Sequence, residues 1–171
     1  MAKRISLREF QESVVARLKE MASTHSATSR LGVMIGQDRW LVDLTDVSEV
    51  IPVPTMVSVP LTHRWFKGVA NVRGNLFSVV DLPAFLGGEQ STPASNSRLL
   101  LVHTRHITNA ALLVNRMVGL RNLENLEHAG DADGELPWAG ATWRDAQGEI
   151  WRELHLSELV TQPVFLQVGL V

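Results

Sequence analysis

The stretch GVANVRGNLFSVVDL, residues 68–82, consists of two apolar runs separated by Arg73 and Gly74. Short apolar runs on either side of a glycine are typical of two strands joined by a turn. We therefore predict strands over 69–73 and 75–81, broken at Gly74. Asp81 then precedes PAFLGG, in which an N-cap acid, a proline in the first turn and closing glycines predict a short helical turn.

Upstream of this stretch the same rhythm of short apolar runs continues. LGVMI and WLVDL, separated by GQDR, predict a hairpin, and VSEVIPV predicts a strand closed by Pro52 and Pro54. LTHRWFKG predicts one helical turn that ends at Gly68. Before the hairpin, Ser6 and Glu9 form a capping box at the start of an amphipathic N-terminal helix, and 23–30 are small and polar, as in a flexible linker.

The second half of the chain repeats the pattern of short apolar runs. RLLLVH, ALLVN and VGLRNL predict strands, and ATWRD and EIWRELH predict a hairpin around AQG. Residues 87–97 and 125–137 are polar and predict solvated loops. The chain closes with SELVTQPVFLQVGL, which predicts a short C-terminal helix with Ser157 as N-cap, limited by Pro163.

About nine short strands with frequent turns predict a mostly β protein built as small barrels or a sandwich. Each half has enough strands for a small barrel of its own, and the polar stretch 87–97 lies between the halves. LVDLTDV and LVNRMV are alike, but their spacing differs and no clean internal repeat is evident.

Composition excludes several classes of function. The 171 residues carry a net charge of −2, which gives no electrostatic reason to expect nucleic-acid binding. The absence of cysteine excludes disulfides, thiolate metal sites and cysteine nucleophiles, and it is compatible with a reducing compartment. The first residues lack a secretory signal, and the aliphatic runs are too short to span a bilayer. We therefore expect a cytoplasmic protein that does not insert into membranes.

Motifs for chemistry are missing from the sequence. The histidines do not form HExxH, DADG at 131–134 lacks the rest of a calcium loop, and neither GxSxG nor a phosphate loop is present. We therefore predict no catalytic residues, no metal and no cofactor, and a protein that is not an enzyme. An interaction module of another kind, or an enzyme with an unrecognised acid pair, are the alternatives.

The run from Leu31 to Gly88 resembles the CheW family of chemotaxis adaptors. The resemblance follows the order and spacing of several elements: Val47–Ser48–Glu49–Val50, Pro60, Trp65, Gly68–Val69, Asn71, Arg73–Gly74, Asp81–Leu82 and Gly87. It extends more loosely to residue 160. Two positions depart from the family pattern, His63 where a second proline is usual and Asn115 where an aspartate is usual. The ending WRELHLSELVTQPVFLQVGL is most similar to the PilI branch.

The resemblance implies a fold and a function. It implies two SH3-like five-stranded β-barrels packed together, with 31–88 mainly the first, 98–160 mainly the second, and strand exchange possible. It implies a non-enzymatic adaptor between the cytoplasmic tip of a methyl-accepting chemoreceptor and a CheA-type histidine kinase. The PilI branch implies control of type IV pili and twitching motility.

Six residues are candidates for partner binding because they match family positions: Val47, Glu49, Trp65, Gly68, Asn71 and Arg73. The other tryptophans suit a core, but Trp65 lies in the polar turn THRWFKG. The remaining five candidates also have a structural interpretation. Val47 suits a core, Glu49 an exposed site, and Gly68 a positive φ or a tight contact. Asn71 suits a turn cap. Arg73 could form an internal ion pair with Asp81 or Glu49, or hold the turn by bonding carbonyl groups.

Overall fold

The computed structural model describes Val14, Ala16, Arg17 and residues 27–171. Those three isolated residues are helical, and the remainder of the predicted N-terminal helix lies outside the described residues. The described strands are β1 (Ser29–Ile35), β2 (Asp38–Asp43), β3 (Val47–Pro52), β4 (Met56–Val57), β5 (Phe66–Val72), β6 (Asn75–Asp81), β7 (Arg98–Val102), β8 (Ala110–Val114), β9 (Arg116–Asn122), β10 (Glu127–Gly130), β11 (Ala139–Arg144) and β12 (Ile150–Leu154).

Short helices follow some of these strands. The α-helices are α1 (Leu82–Phe85), α2 (Leu156–Leu159) and α3 (Pro163–Leu166), and two 3-10 turns span Leu44–Asp46 and Leu123–Asn125. Asp81 caps α1 as predicted, with its Oδ1 3.5 Å from the backbone N of Ala84. The predicted cap of the closing helix is wrong, because the N-cap of α2 is His155, two residues before Ser157, and Pro163 begins α3.

The strands form two six-stranded sheets. The first sheet has the order β10-β11-β12-β2-β1-β9, and the second has the order β3-β7-β8-β6-β5-β4. All neighbours are antiparallel except for the parallel pairs β12–β2 and β6–β8. The sheets therefore have one more strand than the five predicted, and the chain exchanges hairpins, since β1–β2 joins β9–β12 while β7–β8 joins β3–β6.

The two half-chains have the same topology. Each consists of a hairpin, four further strands and a short helix, and each contributes its hairpin to the other's sheet. The parallel pairs show which residues of the two half-chains are equivalent. Val80 lies two residues before α1 and pairs with Leu112, and Leu154 lies two residues before α2 and pairs with Val42. The predicted ranges 31–88 and 98–160 follow these half-chains, whereas each sheet draws on both.

Both sheets curl until their edge strands approach each other. In the second sheet, Pro52 at the end of β3 and Met56 at the start of β4 are four Cα steps apart, which allows at most about 15 Å. A flat sheet of six strands about 4.8 Å apart would separate its edges by about 24 Å. In the first sheet, Asn122 and Glu127 join the edges over five steps, at most about 19 Å.

Two clusters of buried side chains fill this architecture. The larger lies between the sheets, where alternate residues of both sheets pack with the three short helices, as Val33, Val42, Val102, Leu112 and Leu156 illustrate. The smaller lies on the other face of the second sheet, inside its own curl. The shared cluster therefore holds the two sheets together as one body.

Most of the predicted strands are confirmed, but a predicted helical turn and a predicted loop are wrong. LTHRWFKG was predicted to be helical, but Phe66 already begins β5 and Gly68 lies inside that strand. Residues 125–137 were predicted to be a loop, but β10 forms within them. Both errors come from pairing across longer loops, since β5 is held by β4 and β10 by β11.

Candidate functional site

The turn between β5 and β6 presents the central motif of the sequence. Val72 pairs with Asn75, so Arg73 and Gly74 form a two-residue hairpin loop, and both have positive φ, 52° and 86°. This is the conformation of the hairpin turns that match strand twist. The side-chain Oδ1 of Asn71 accepts a hydrogen bond from the backbone N of Gly74 at 2.9 Å. Asn71 therefore caps the turn that displays Arg73.

Arg73 forms a bidentate ion pair with Glu49. Its Nη1 donates to Glu49 Oε2 at 2.7 Å, and its Nη2 donates to Oε1. The side chain of Arg73 remains 42% exposed and that of Glu49 23%. Because β3 is an edge strand and is not a neighbour of β5 or β6, this pair spans the curled sheet. Of the partners left open by the sequence, the structure thus shows Glu49.

A β-bulge at the start of β3 separates Val47 from Glu49. Val47 pairs with Val102 and Glu49 with Leu101, and Ser48 is the extra residue between them. Residues two apart on a regular strand share a face, but here Val102 belongs to the core between the sheets and Leu101 to the inner core of the second sheet. Val47 is consequently buried at 2% exposure, while Glu49 reaches Arg73.

Gly68 lies at the point where β4 crosses close to β5. Its φ is 122°, and a Cβ atom built on it would lie 2.0 Å from the carbonyl O of Val57. Any side chain would collide with backbone, so this position requires glycine for both conformation and space. Gly68 thereby allows β4 to pair, with Val57 opposite Val69.

Trp65 lies inside the protein rather than on an exposed turn. Its ring is 8% exposed and stacks on His63, with 5.5 Å between ring centroids, and it meets Phe85 edge to face at 5.1 Å. Phe165 of α3 lies on the same cluster at 6.4 Å. This aromatic cluster fastens the C-terminal segment to the second sheet.

The structure thus divides the six candidate residues into two groups. Glu49, Asn71 and Arg73 come together at the surface, around the turn between β5 and β6. Val47, Trp65 and Gly68 are buried. The side chains of Val47 and Trp65, and the absence of a side chain at Gly68, determine how the strands beneath that surface pack. A buried residue can affect a partner through the position of the surface strands, without touching it.

A buried polar network around Asp81 was not predicted from the sequence, which left this residue as a helix cap and as a candidate partner of Arg73. The Asp81 side chain has no exposed surface, and it accepts hydrogen bonds from Ser91 N at 2.7 Å and Ser91 Oγ at 2.8 Å. Lys67 Nζ lies 3.4 Å from the same carboxylate and donates to the carbonyl O of Ser91. The network ties the polar loop 87–97 to β5 and β6.

A second polar cluster forms around the HTRH sequence. His106 Nε2 lies 2.8 Å from Asp46 Oδ1, and Arg105 Nη2 donates to the same oxygen at 2.6 Å. These contacts hold the loop after β7 against the 3-10 turn after β2. Among the residues that the structure describes, no group of three His, Cys, Asp or Glu side chains could hold a metal ion.

In the first sheet, Asp145 organises the turn between β11 and β12. Its carboxylate accepts hydrogen bonds from Trp151 Nε1 and from the backbone N of Gln147 and Glu149, each at 2.9 Å. The bond from Trp151 is the largest of the causes that lower the pKa of Asp145 below its ordinary value. The backbone bonds and the charge of Arg39 act in the same direction, whereas desolvation opposes them.

Two curled sheets with exchanged hairpins and a displayed Asn-x-Arg-Gly turn define the class of protein. The family model described as a CheW-like domain matches residues 30–164, most of the chain, and the protein therefore belongs to the CheW-like family. The described residues contain no helix of the length and apolarity needed to cross a membrane.

Two relatives show how similar this chain is to known proteins. Protein PilI of Pseudomonas aeruginosa is 34% identical over 94 residues, which cover 55% of this chain and 52% of PilI, so the match spans about half the length of that relative. The crystal structure of the scaffolding protein TtCheW from Thermoanaerobacter tengcongensis is similar with a TM-score of 0.67, over 82% of this chain and 97% of that chain. At 16% identity this likeness supports the fold alone.

Proposed function

We propose that the protein is a non-enzymatic adaptor that couples a chemoreceptor to a CheA-type histidine kinase in a chemosensory array. Membership of the CheW-like family supports this proposal. The likeness to PilI supports a role in the system that controls type IV pili and twitching motility. The proposed partners act in the cytoplasm, and the proposal places the protein there with them.

The observation that carries the proposal is the ion pair of Arg73 with Glu49 across the curled second sheet. A coupling protein needs surfaces of fixed shape rather than reacting groups. The pair presents a guanidinium that keeps 42% of its side-chain surface exposed, on a turn fixed by Asn71 and supported by buried Gly68 and Val47. Oriented charges of this kind give specificity and register in protein interfaces.

We propose that each curled sheet acts as a small SH3-like barrel. The barrel that carries Arg73 would dock end to end on the SH3-like regulatory domain of the kinase, and the groove between the barrels would receive the receptor tip. Each interface is expected to be of the transient kind, about 1,200 Å² or less in total. Repetition in an array would then supply strength through multivalency.

Titration calorimetry with the cognate CheA-type kinase tests the proposal. We expect heat of binding for the natural protein, a loss of at least tenfold in affinity for Arg73→Glu, and no change for Arg116→Glu. Arg116 makes a suitable control because it is an exposed arginine on β9 of the other sheet. Absence of heat and of co-elution at high micromolar concentration for the natural protein would refute the kinase contact.

A charge exchange separates two ways in which the pair can act. In Glu49→Arg with Arg73→Glu, the ion pair across the curled sheet can form again, but the charges presented to a partner are reversed. Failure of this double variant to recover binding means that the partner contacts the charges themselves. Recovery means that the partner requires only the closed sheet, and the contact role of Arg73 is then wrong.

A further inference from the structure

The two sheets have the same topology, but their inner faces differ in chemistry. We use inner face for the side of each sheet that is turned away from the core shared by the sheets. In the second sheet the inner face carries an apolar cluster, and its charged residues are confined to Glu49 on the edge strand β3 and Asp81 at the end of β6. The buried residues of the cluster are Ala70, Val72, Val79, Leu99, Leu101, Ala111 and Leu113, with Ile51, Val53, Met56 and Phe77 packed against them.

Six of the equivalent positions of the first sheet are charged or bear tryptophan, whereas Gly32 and Leu41 stand at the positions of Leu101 and Ala111. The strand registers make Leu100 of the second sheet equivalent to Leu31 of the first, and Val80 equivalent to Leu154. All four residues lie in the shared core. Counting along the strands from these residues gives the equivalent of each neighbour. The replacements are Arg30 for Leu99, Asp43 for Leu113, Glu153 for Val79, Arg121 for Ile51, Trp143 for Ala70 and Trp151 for Phe77.

Contacts across the first sheet show that these side chains share one face. Arg30 lies 3.6 Å from Glu153 and 3.9 Å from Asp43, measured between nitrogen and oxygen. The side chains of Arg30 and Glu153 are only 16% and 13% exposed. The Arg121 guanidinium lies 5.2 Å from the ring centroid of Trp151. A loosely paired triad therefore stands where the second sheet has leucine and valine, with Arg30 and Glu153 largely desolvated and Asp43 39% exposed.

Of the two tryptophans on this face, Trp151 donates a hydrogen bond to Asp145, but Trp143 is imperfectly satisfied. Trp143 meets His128 edge to face at 5.3 Å between ring centroids, but its indole Nε1 is buried and has no hydrogen-bond partner. An unsatisfied buried donor carries a desolvation cost that an apolar residue would not have. Buried ion pairs are likewise often no more stabilising than well-packed apolar residues of similar volume.

We propose that the first sheet is a locally opening unit built on a rigid second sheet. The inner face of the first sheet opens while the shared core and the apolar cluster of the second sheet remain packed. The amide hydrogens of β9 to β12 then exchange with solvent through an opening equilibrium in which β5 to β8 stay folded. A coupling protein made in this way keeps one docking surface fixed while the other can adjust to a partner. Elements that adjust are drawn from the less stable parts of a fold.

Native-state hydrogen exchange tests the proposal, because each strand has a topological counterpart as its own control. We expect the amides of β11 and β12 to exchange at least about tenfold faster than those of β5 and β6, a ratio that corresponds to about 1.4 kcal/mol. Acrylamide should quench Trp143 and Trp151 in a variant in which Trp40, Trp65 and Trp138 are replaced by phenylalanine. Equal protection of the two sheets overturns the proposal.

Substitutions test whether the charged face is the cause. Glu153→Gln should speed exchange in the first sheet alone, whereas Glu149→Gln should not, because Glu149 is 48% exposed where it pairs with Arg39. The double variant Arg30→Leu with Glu153→Val introduces the residues of the second sheet and should slow exchange of β11 and β12 about tenfold. Equal effects of the two glutamine variants overturn the proposed cause even if the double variant does not fold.

Discussion

Lys67 Nζ lies 3.4 Å from Oδ2 of Asp81, a carboxylate with no exposed surface, and both side chains bind Ser91 of the polar loop. The ammonium group is the charged partner that offsets the burial of this carboxylate. A buried charge that loses its partner is strongly destabilising. The relationship therefore matters for stability although it lies outside the surface that displays Arg73.

We expect Lys67→Met to lower the free energy of unfolding by about 3 kcal/mol, because it leaves Asp81 buried without its cation. Urea denaturation measures the change. The double variant with Asp81→Asn should recover part of this loss, since the unpaired charge is then removed as well. Simple additivity of the two single changes would show that Lys67 and Asp81 do not interact.

Gly68→Ala is expected to lower the free energy of unfolding by more than about 3 kcal/mol or to abolish folding, because the added Cβ would lie 2.0 Å from a backbone carbonyl at a φ of 122°. Gly74→Ala is the matched control. It also has positive φ, but nothing lies within 4 Å of its Cβ position, and we expect a loss of about 1–2 kcal/mol. Similar losses in thermal melts would contradict the argument from space.

Arg73→Gly separates the fold from the contact. Glycine suits the φ of 52°, which offsets the loss of a partly exposed ion pair worth about 0–1 kcal/mol. We therefore expect a melting temperature close to that of the natural protein, together with weakened kinase binding in calorimetry. A protein that melts far earlier would show that the arginine acts mainly within the fold.

The lowered pKa of Asp145 predicts how the stability of the folded protein depends on pH. Its pKa is lowered in the folded protein, so its contribution is fully present above the unfolded pKa of about 3.9 and is lost as pH falls through the folded value. We expect Asp145→Asn to lower the melting temperature at pH 7, and the difference from the natural protein to shrink below about pH 4. Asp38→Asn, at an exposed position of β2, should show little effect at either pH. A difference that persisted undiminished at pH 3 would count against this assignment.

Local sequence determined the elements that depend on neighbouring residues. Alternating apolar runs and the residues between them predicted the hairpins β1–β2, β5–β6 and β11–β12, and Asp81 with Pro83 predicted α1. Turn and cap chemistry acts over two to four residues, which is why a single stretch such as 68–82 carries it. The order and spacing of the elements between Val47 and Gly87 also indicated the family resemblance, which the family match confirms.

Tertiary structure decided which distant residues meet. The sequence left Glu49 and Asp81 both open as partners of Arg73, and the curl of the second sheet brings Glu49 to the turn while Lys67 and Ser91 bind Asp81. The bulge that separates Val47 from Glu49 and the exchange of hairpins between half-chains depend on pairing between strands that are 32 or more residues apart. Residue type determines how each strand can pair locally. Which strand it pairs with depends on the free energy of the whole core, so no single segment determines the choice of partner strand.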